Sequence, residues 1–502
     1  MNNHCFLKVL LVVLVFFLVP TLATAQRNKV KNKQRKVQAQ EEKQTKSFLV
    51  KNFDSGEVRL NSLSEPTPAV RTQERVPEHR YIIVPKGQPV PNRFSSPEVN
   101  ILSFRAQPSI TRNVLVSPTF PAGVEPDQVL EPTVAVKGNF VFYTANHFAA
   151  ISTDGGQTFT YVSPRQVFNG TGYTFCCDQV VQYVPQIDMI VWSLQANNYD
   201  AQLILYATPE NARNNNWRKI LFEPSDLNVP RADLDFTDMS FGNNMLYWST
   251  NVFGAVIDNE VVDKSVVVRI PLEGLRTGNP QPRASIRRWG VRLAQNTGDA
   301  GYFAAHFDTS TLIVYRWEEM AADPTWKEVT VPSWSHVPLA TWGNVRSRVI
   351  GATRAGNDLW FTWNADERTP DRPEKYAQVA RVNTQNLTLL DSPDLWNNDF
   401  RIGLPALTTN SLTNEVGVSY ILGRKHHHAV GILTGTRVFF TTAEGGFDAV
   451  GSRWGDYLSI RQQYSDAANP QPTGLFAATG YTLTSNSVVQ PRFILFSRDQ
   501  VR

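Results

Sequence analysis

Ser152-Thr153-Asp154-Gly155-Gly156-Gln157-Thr158-Phe159 reads S-x-D-x-G-x-T-F. An Asp followed by glycines closes a tight turn. The short carboxylate accepts hydrogen bonds from amides just ahead of it, and glycine adopts the left-handed conformations a turn demands. Phe159 then returns the chain to apolar surroundings beneath the turn. Asp154 is therefore expected to be a turn residue and not a catalytic one.

Outward from this turn the chain repeats one plan: a polar start, a short strand, a turn, then a stronger apolar strand. The units are Glu131–Asn146, Cys176–Gln195, Asp235–Asn251, Asp299–Trp317, Val345–Trp363, Arg401–Leu422 and Gly455–Tyr481, with starts 45 to 64 residues apart. Their second strands include Met189-Ile190-Val191-Trp192, Met245-Leu246-Tyr247-Trp248, Leu312-Ile313-Val314-Tyr315 and Leu359-Trp360-Phe361-Thr362. Aromatic and β-branched residues favour strands. Third and fourth strands follow in several units, as in Ala201–Thr208 and Trp217–Phe222. Four strands per unit at this spacing predict an all-β fold, a β-propeller of seven four-stranded blades. Six blades is the alternative if the fourth unit is an insertion, and a tandem of β-sandwiches is the rival architecture. The last unit ends with Arg492–Ser497 as its third strand. A strand from before the repeats, Ile101–Arg105 or Asn113–Val116, is expected to supply the fourth.

The N-terminus reads as an export signal, residues 1–25. Lys8 precedes an apolar run from Val9 to Val19 that is too short to span a bilayer comfortably, and Ala23-Thr24-Ala25 fits a small-x-small cleavage site. Later stretches are not apolar enough for a membrane helix, so a secreted or periplasmic protein is expected, a monomer with no membrane span. Residues 26–55 read as a disordered basic tail, with nine Lys/Arg between Arg27 and Lys51 against Glu41 and Glu42. The formal net charge of +4 is concentrated there, which gives a nucleic-acid function little support. Residues 56–128 form a Pro- and Ser-rich lead-in, and 129–502 hold the propeller.

In a propeller the innermost strands all start at one mouth of the central channel, and the loops between second and third strands open onto the same face. The inner-strand starts carry Glu131, Asp178, Asp238, Asp299, Arg346 with Arg348, Arg401, and Asp456 with Tyr457. Carboxylates that converge push one another's pKa values apart and supply an acid and a base, while arginines clamp an anion in a bidentate manner. Mutual pairing of these charges as scaffold is the competing explanation. Second-to-third-strand loops add Asn146, His147, Asn197, Asn198, Tyr199, Asn251, Asn364, Arg424 and His426, side chains apt for sugar hydroxyls.

Cys5 leaves with the signal, so the mature chain holds only Cys176 and Cys177, adjacent and exported. An oxidising compartment favours a disulfide between them, a stiff apolar knob two residues from Asp178-Gln179; two buried free thiols are the other reading. Cys-Cys alone does not make a zinc site. His426-His427-His428 is expected to be a solvated run at a strand entry, since alternation puts at most two of the three on one face. No metal or cofactor is expected. G-x-S-x-G, H-E-x-x-H, P-loop and EF-hand patterns do not occur.

With Ser152–Phe159 and the blade periodicity from about residue 129 onward, the chain resembles the sialidase-like BNR/Asp-box propeller superfamily. The resemblance implies that Asp-box turns join third and fourth strands, on the face away from the mouth. Members include sialidases, other glycosidases, polysaccharide lyases and non-catalytic binders. The sialidase F/Y-R-I-P motif has its nearest counterpart in Phe400-Arg401-Ile402-Gly403-Leu404-Pro405, interrupted and late, and Ser152–Phe159 is the one good Asp box. Three functions follow. The first is a glycoside hydrolase with Asp178, Asp238, Asp456 and Tyr457 as catalytic candidates and Glu131, His147, Tyr199, Asp299, Arg346 and Arg401 as substrate contacts, its partner a glycan, anionic ones included. The second is a lyase on a uronate polymer, pairing Arg346 or Arg401 with Tyr199, Tyr457 or His147 as base. The third is a non-enzymatic glycan or protein binder. Mouth carboxylates held apart by arginines would weaken the hydrolase, a Tyr or His facing Arg across a groove would favour the lyase, and a mouth plugged by aromatics such as Trp454 would favour the binder.

Overall fold

In a computed structural model, Ser152–Phe159 closes the turn between Phe148–Ser152 and Thr158–Val162, the third and fourth strands of their unit. Asp154 Oδ1 accepts from Ser152 Oγ (2.8 Å) and from the amides of Gln157 and Thr158 (both 2.9 Å), and Oδ2 accepts from Thr158 Oγ1 (2.7 Å). Gly155 and Gly156 sit at φ 74° and 90°, which only glycine enters at no cost. Partial burial works against the charge, but these donors from Thr158, Ser152 and Gln157 win and hold the carboxyl below its ordinary range. Phe159 is buried against Tyr143.

The structure describes residues 42, 45–63, 65, 67–71, 79–82, 110–117, 130–257, 260–336, 348–367, 372–396, 401–423, 427–434, 437–443, 455–483 and 489–498. The export signal, most of the basic tail, Ile101–Arg105, Arg346, Arg424, His426 and Trp454 lie outside them. Residues 48–502 form one compact unit, and 1–47 are a separate one.

Among the described residues the strands form six sheets, each built of antiparallel up-and-down runs. The largest has ten strands. It is two such runs tied by a parallel bridge from Tyr464 to Lys137. The first strands of the runs are β1 (Thr133–Lys137), β2 (Phe175–Val184), β3 (Asp233–Phe241), β4 (Arg292–Leu293), β5 (Gly351–Ala355), β6 (Ile402–Asn410) and β7 (Ser459–Tyr464). Each packs against the first strands before and after it, and β7 packs against β1. These edges therefore face a common axis, and the arrangement is a β-propeller. Apolar faces bury between neighbouring runs, with Trp192, Trp248, Trp317 and Trp363 fully enclosed. Burial of this kind drives the closure.

Phe493–Arg498 pairs with Ile110–Ser117, so a strand from before the repeats completes the last run. The end of the expected disordered tail and the start of the lead-in do more, and both form strands. Phe48–Leu49, Asp54–Arg59, Thr67–Pro68, Val70–Arg71 and His79–Ile82 pair in turn with Arg283–Arg288, Asn216–Phe222, Thr158–Val162, Ile110–Ser117 and Arg437–Ala443. The segment thus travels backward over five outer edges and covers unpaired amides and carbonyls that would otherwise template aggregation. The boundary expected at 55/56 falls inside the strand Asp54–Arg59.

The fourth unit is shifted by one strand from its sequence reading. Its first strand is β4, Ala300–Asp308 is second, and Leu312–Tyr315 belongs to the third, Thr311–Glu318. β4 has only two residues, too few to leave a periodic signal. His428 also differs. It is fully buried and bonds Ser419 Oγ at 2.8 Å, with its pKa lowered to about 3 by burial and then by Arg492, so it is a neutral packing residue and not part of a solvated run.

Asp154→Ala is expected to cost about 1–3 kcal/mol of unfolding free energy in urea titrations, because the freed amides lose their acceptor. Near-ultraviolet circular dichroism at the hub should not change.

Candidate functional site

The starts of the first strands hold a cluster of buried charge. Glu131 opens the first run and is 1% exposed. Its Oε1 accepts from the Asp456 amide at 2.7 Å. That approach requires Gly455, at φ 79°, where a Cβ would lie 2.9 Å from Glu131 Cγ. Asp178, on β2, is 7% exposed and hydrogen-bonds Glu131 side chain to side chain. Two carboxyls can share that bond only if one keeps its proton. Burial, then repulsion by Glu131 and Asp235, raises the Asp178 pKa well above the usual carboxylate range.

Asp235 joins the group through a bulge in β3. The register shifts between Asp235 and Thr237, and Phe236 sits at φ 56°, an unfavourable conformation for a bulky residue. Gln195 holds it there. Its Oε1 accepts the Phe236 amide at 3.0 Å, while its Nε2 donates to Asp235 Oδ1 at 3.3 Å and contacts Cys177 Sγ at 3.8 Å. A second bulge in β6 repeats the device: Leu404 has φ 51°, and its amide bonds Asn364 Oδ1 at 2.9 Å. Burial raises the Asp235 pKa, Arg348 opposes, and Asp456 adds to the rise.

Arg348 enters from just before β5 and pairs with Asp456 Oδ2 at 2.8 Å. Its guanidinium lies 4.2 Å from the centre of the Phe236 ring, and that of Arg292 lies at 5.5 Å. Tyr457 packs edge-on to Phe236 at 5.6 Å and donates to the Gln179 carbonyl at 3.1 Å. Burial, then Asp178 and Glu131, raises its pKa well above the ordinary phenol value. Tyr457 is thus a neutral anchor at neutral pH. Cys176 and Cys177 are bonded to each other and half-buried at the edge of the cluster. Tyr199, 40% exposed, lies on the turn whose Asn197 amide bonds the Thr174 carbonyl at 2.6 Å, against the approach to Cys176.

The structure brings Glu131, Asp178, Asp456 and Tyr457 together, with Cys176, Cys177 and Tyr199 at the edge, and engages Asp238, Asp299 and Arg401 in pairs of their own. Asp238 is fully buried deeper in the hub. Its oxygens accept the Leu293 and Met239 amides, both at 2.9 Å, and face Arg292 at 3.4 Å. With its lone pairs engaged, it is a scaffold charge. Asp299 precedes the second strand of its run and so lies at the opposite end. It pairs there with Arg354 at 3.2 Å, and the adjacent Gly298 carbonyl accepts from Asn243, on the turn after β3. Arg401 pairs with Glu374 at 3.2 Å. His147 is exposed on the turn between Phe140–Ala145 and Phe148–Ser152. Of the loop asparagines, Asn251 accepts from Ser265 Oγ at 2.8 Å and Asn364 supports the β6 bulge, so both are spent on scaffold. Asp235, Gln195, Phe236 and Arg292 were not named from sequence. Asp235 and Asp238 are three apart, and in an unbroken strand only one could face the site; no local residue pattern announces the bulge. Among the described residues, no group of three His, Cys, Asp or Glu is placed to hold a metal ion.

No protein-family model matches the chain, and no curated protein matches it in sequence. Solved structures of similar fold include a prolyl endopeptidase (TM-score 0.38, 9% identity, 74% of this chain and 51% of that one). Others are the β-propeller domain of the Trilobed protease from Pyrococcus furiosus (0.39, 8%, 75% and 94%) and the α-L-arabinanase of Penicillium chrysogenum complexed with arabinobiose (0.37, 9%, 77% and 98%). The chain spans about half the length of the prolyl endopeptidase.

Because the folded-state pKa of Asp178 is raised, its contribution to stability is fully present below the unfolded value and is lost as pH rises through the folded one. Asp178→Asn, which keeps a donor toward Glu131, should therefore match wild type near about pH 3.5 and become progressively more stable than it above about pH 4. Urea unfolding across that range measures the difference; parallel pH profiles would refute the shared proton.

Proposed function

We propose that this chain is an exported, seven-bladed, carbohydrate-active propeller of the Asp-box kind. Its hub-entrance carboxylates hydrolyse a glycosidic bond. Counting the ten-stranded sheet as two blades gives the seven. The observation that carries the reading is the Glu131–Asp178 carboxyl pair, with Asp235 and Asp456 facing it and one arginine, Arg348, paired into the group. Carboxyls gathered in this way, with a single arginine among them, support acid–base work. Asp178, holding its proton, serves as general acid. Asp456, steadied by Arg348, serves as the carboxylate partner. The half-buried Cys176–Cys177 disulfide and the exposed Tyr199 ring offer an apolar platform for a sugar face.

Charge narrows the substrate. With Asp178 holding its proton and Asp456 paired to Arg348, Glu131 and Asp235 leave the entrance acidic, so it favours neutral or amine-bearing sugars over carboxylated ones. Arg401 is engaged by Glu374, and Tyr457 is held as a donor with a raised pKa, which removes one clamp and one base from the uronate-lyase reading. The near-complete burial of Glu131 and Asp178 favours a second reading, a glycan binder without turnover.

A glycan array with a reducing-sugar assay separates the two. The hydrolase reading predicts turnover of neutral oligosaccharides that falls about 10²- to 10⁴-fold in Asp178→Asn and in Asp456→Asn, with binding retained. Glycan binding without release of reducing ends supports the binder, and wild-type turnover in both variants removes these carboxylates from the chemistry.

A further inference from the structure

At the opposite end of the hub from the carboxylates, the later residues of the first strands enclose a narrow cavity. Gln182, Tyr183, Asn296, Thr408, Arg461 and Gln462 are among its lining residues. Arg461 is 7% exposed. Its Nη1 donates to the Ile460 carbonyl at 3.1 Å, while its Nε has no hydrogen-bond partner. Gln462, 5% exposed, accepts the Ser411 amide on its Oε1 and leaves its Nε2 without a partner. Two buried donors on neighbouring residues therefore line one small space.

The charges around that space do not balance. Arg292 and Arg461 are both attracted to Asp238 and repel each other. Asp238 is already committed to two backbone amides and to Arg292. Burial, partly relieved by Asp238, lowers the Arg461 pKa only to about 10, so the guanidinium is charged at neutral pH. A buried cation without an equal partner is costly, and proteins relieve it by pairing.

We propose that this cavity is a halide site, with a chloride ion held against Arg461 Nε in the space that Gln462 also lines. The space is small and suits a monatomic ion. Both open donors offer N–H, the complement an anion needs. Gln182 is fixed with its Nε2 toward Gln295 Oε1 at 2.7 Å, because Gln295 Nε2 is committed to the Met239 carbonyl at 2.8 Å. Its Oε1 has no hydrogen-bond partner. The site is separate from the entrance carboxylates, so it stands or falls independently of the hydrolytic reading.

The test uses the full chain with bromide and chloride as probes. Crystals grown in sodium bromide should show an anomalous peak within hydrogen-bond reach of Arg461 Nε. Thermal unfolding in sodium chloride should shift upward with the logarithm of its concentration, relative to sodium sulfate at matched ionic strength. Arg461→Gln and Gln462→Leu should each abolish that salt-specific shift, and Gln462→Leu keeps the experiment informative if the arginine variant does not fold. Water alone in the cavity under bromide, identical melting in the two salts, or a shift that survives both substitutions would overturn the proposal.

Discussion

The first strands of this propeller meet one another on the axial side only at short bridges such as Tyr464 to Lys137 and Gln295 to Thr353, so most of their side chains there must settle their charges with those arriving from other runs. That constraint shapes the hub. Glu131, Asp178, Asp235 and Asp456 come from four different strands or strand starts, yet no arrangement of them can be fully ionised in a space this closed. Arg348 takes up one charge through Asp456, and a proton on Asp178 takes up another. The same rule, with the sign reversed, holds farther along the axis, where Arg292 and Arg461 compete for Asp238. The hub is layered in charge, acidic at the entrance and cationic beyond it.

Backbone irregularity is what lets the entrance form. A regular strand alternates its side chains, so Asp235 and Asp238 could not each find its present surroundings without the bulge at Phe236. The strain of a phenylalanine at positive φ is met by Gln195 below and by Arg348, Arg292 and Tyr457 around the ring. Gln195 also touches Asp235 and Cys177, so one amide ties the bulge, a carboxylate and the disulfide edge together. Asn364 does the same service for Leu404. Both amides occupy second strands, and both serve the first strand of the next run.

Much of this was legible in the chain. The octapeptide at Ser152 marked a turn between third and fourth strands, the repeat spacing marked the blades, and the polar starts of the units pointed to Glu131, Asp178, Asp456 and Tyr457. Adjacent cysteines, in a chain whose first residues read as an export signal, pointed to their bond. What escaped has physical reasons. A two-residue first strand at Arg292 has no period to detect, so the fourth unit was displaced and Asp299 was put at the wrong end. A bulge is a relation between two strands, so Asp235 was passed over for Asp238. The lead-in was read as loose because its strands are short and polar; their pairing depends on outer edges that exist only once the blades have formed.

The central claim is that burial in a closed hub, with Glu131 and Asp235 standing against it, pushes Asp178 toward its protonated form. Infrared difference spectroscopy of the carboxylic C=O stretch, with isotope-labelled aspartate, reads this directly. A protonated aspartic acid band that persists at neutral pH and disappears in Asp178→Asn is the expected result. A wild-type spectrum with every aspartate ionised at neutral pH would contradict it.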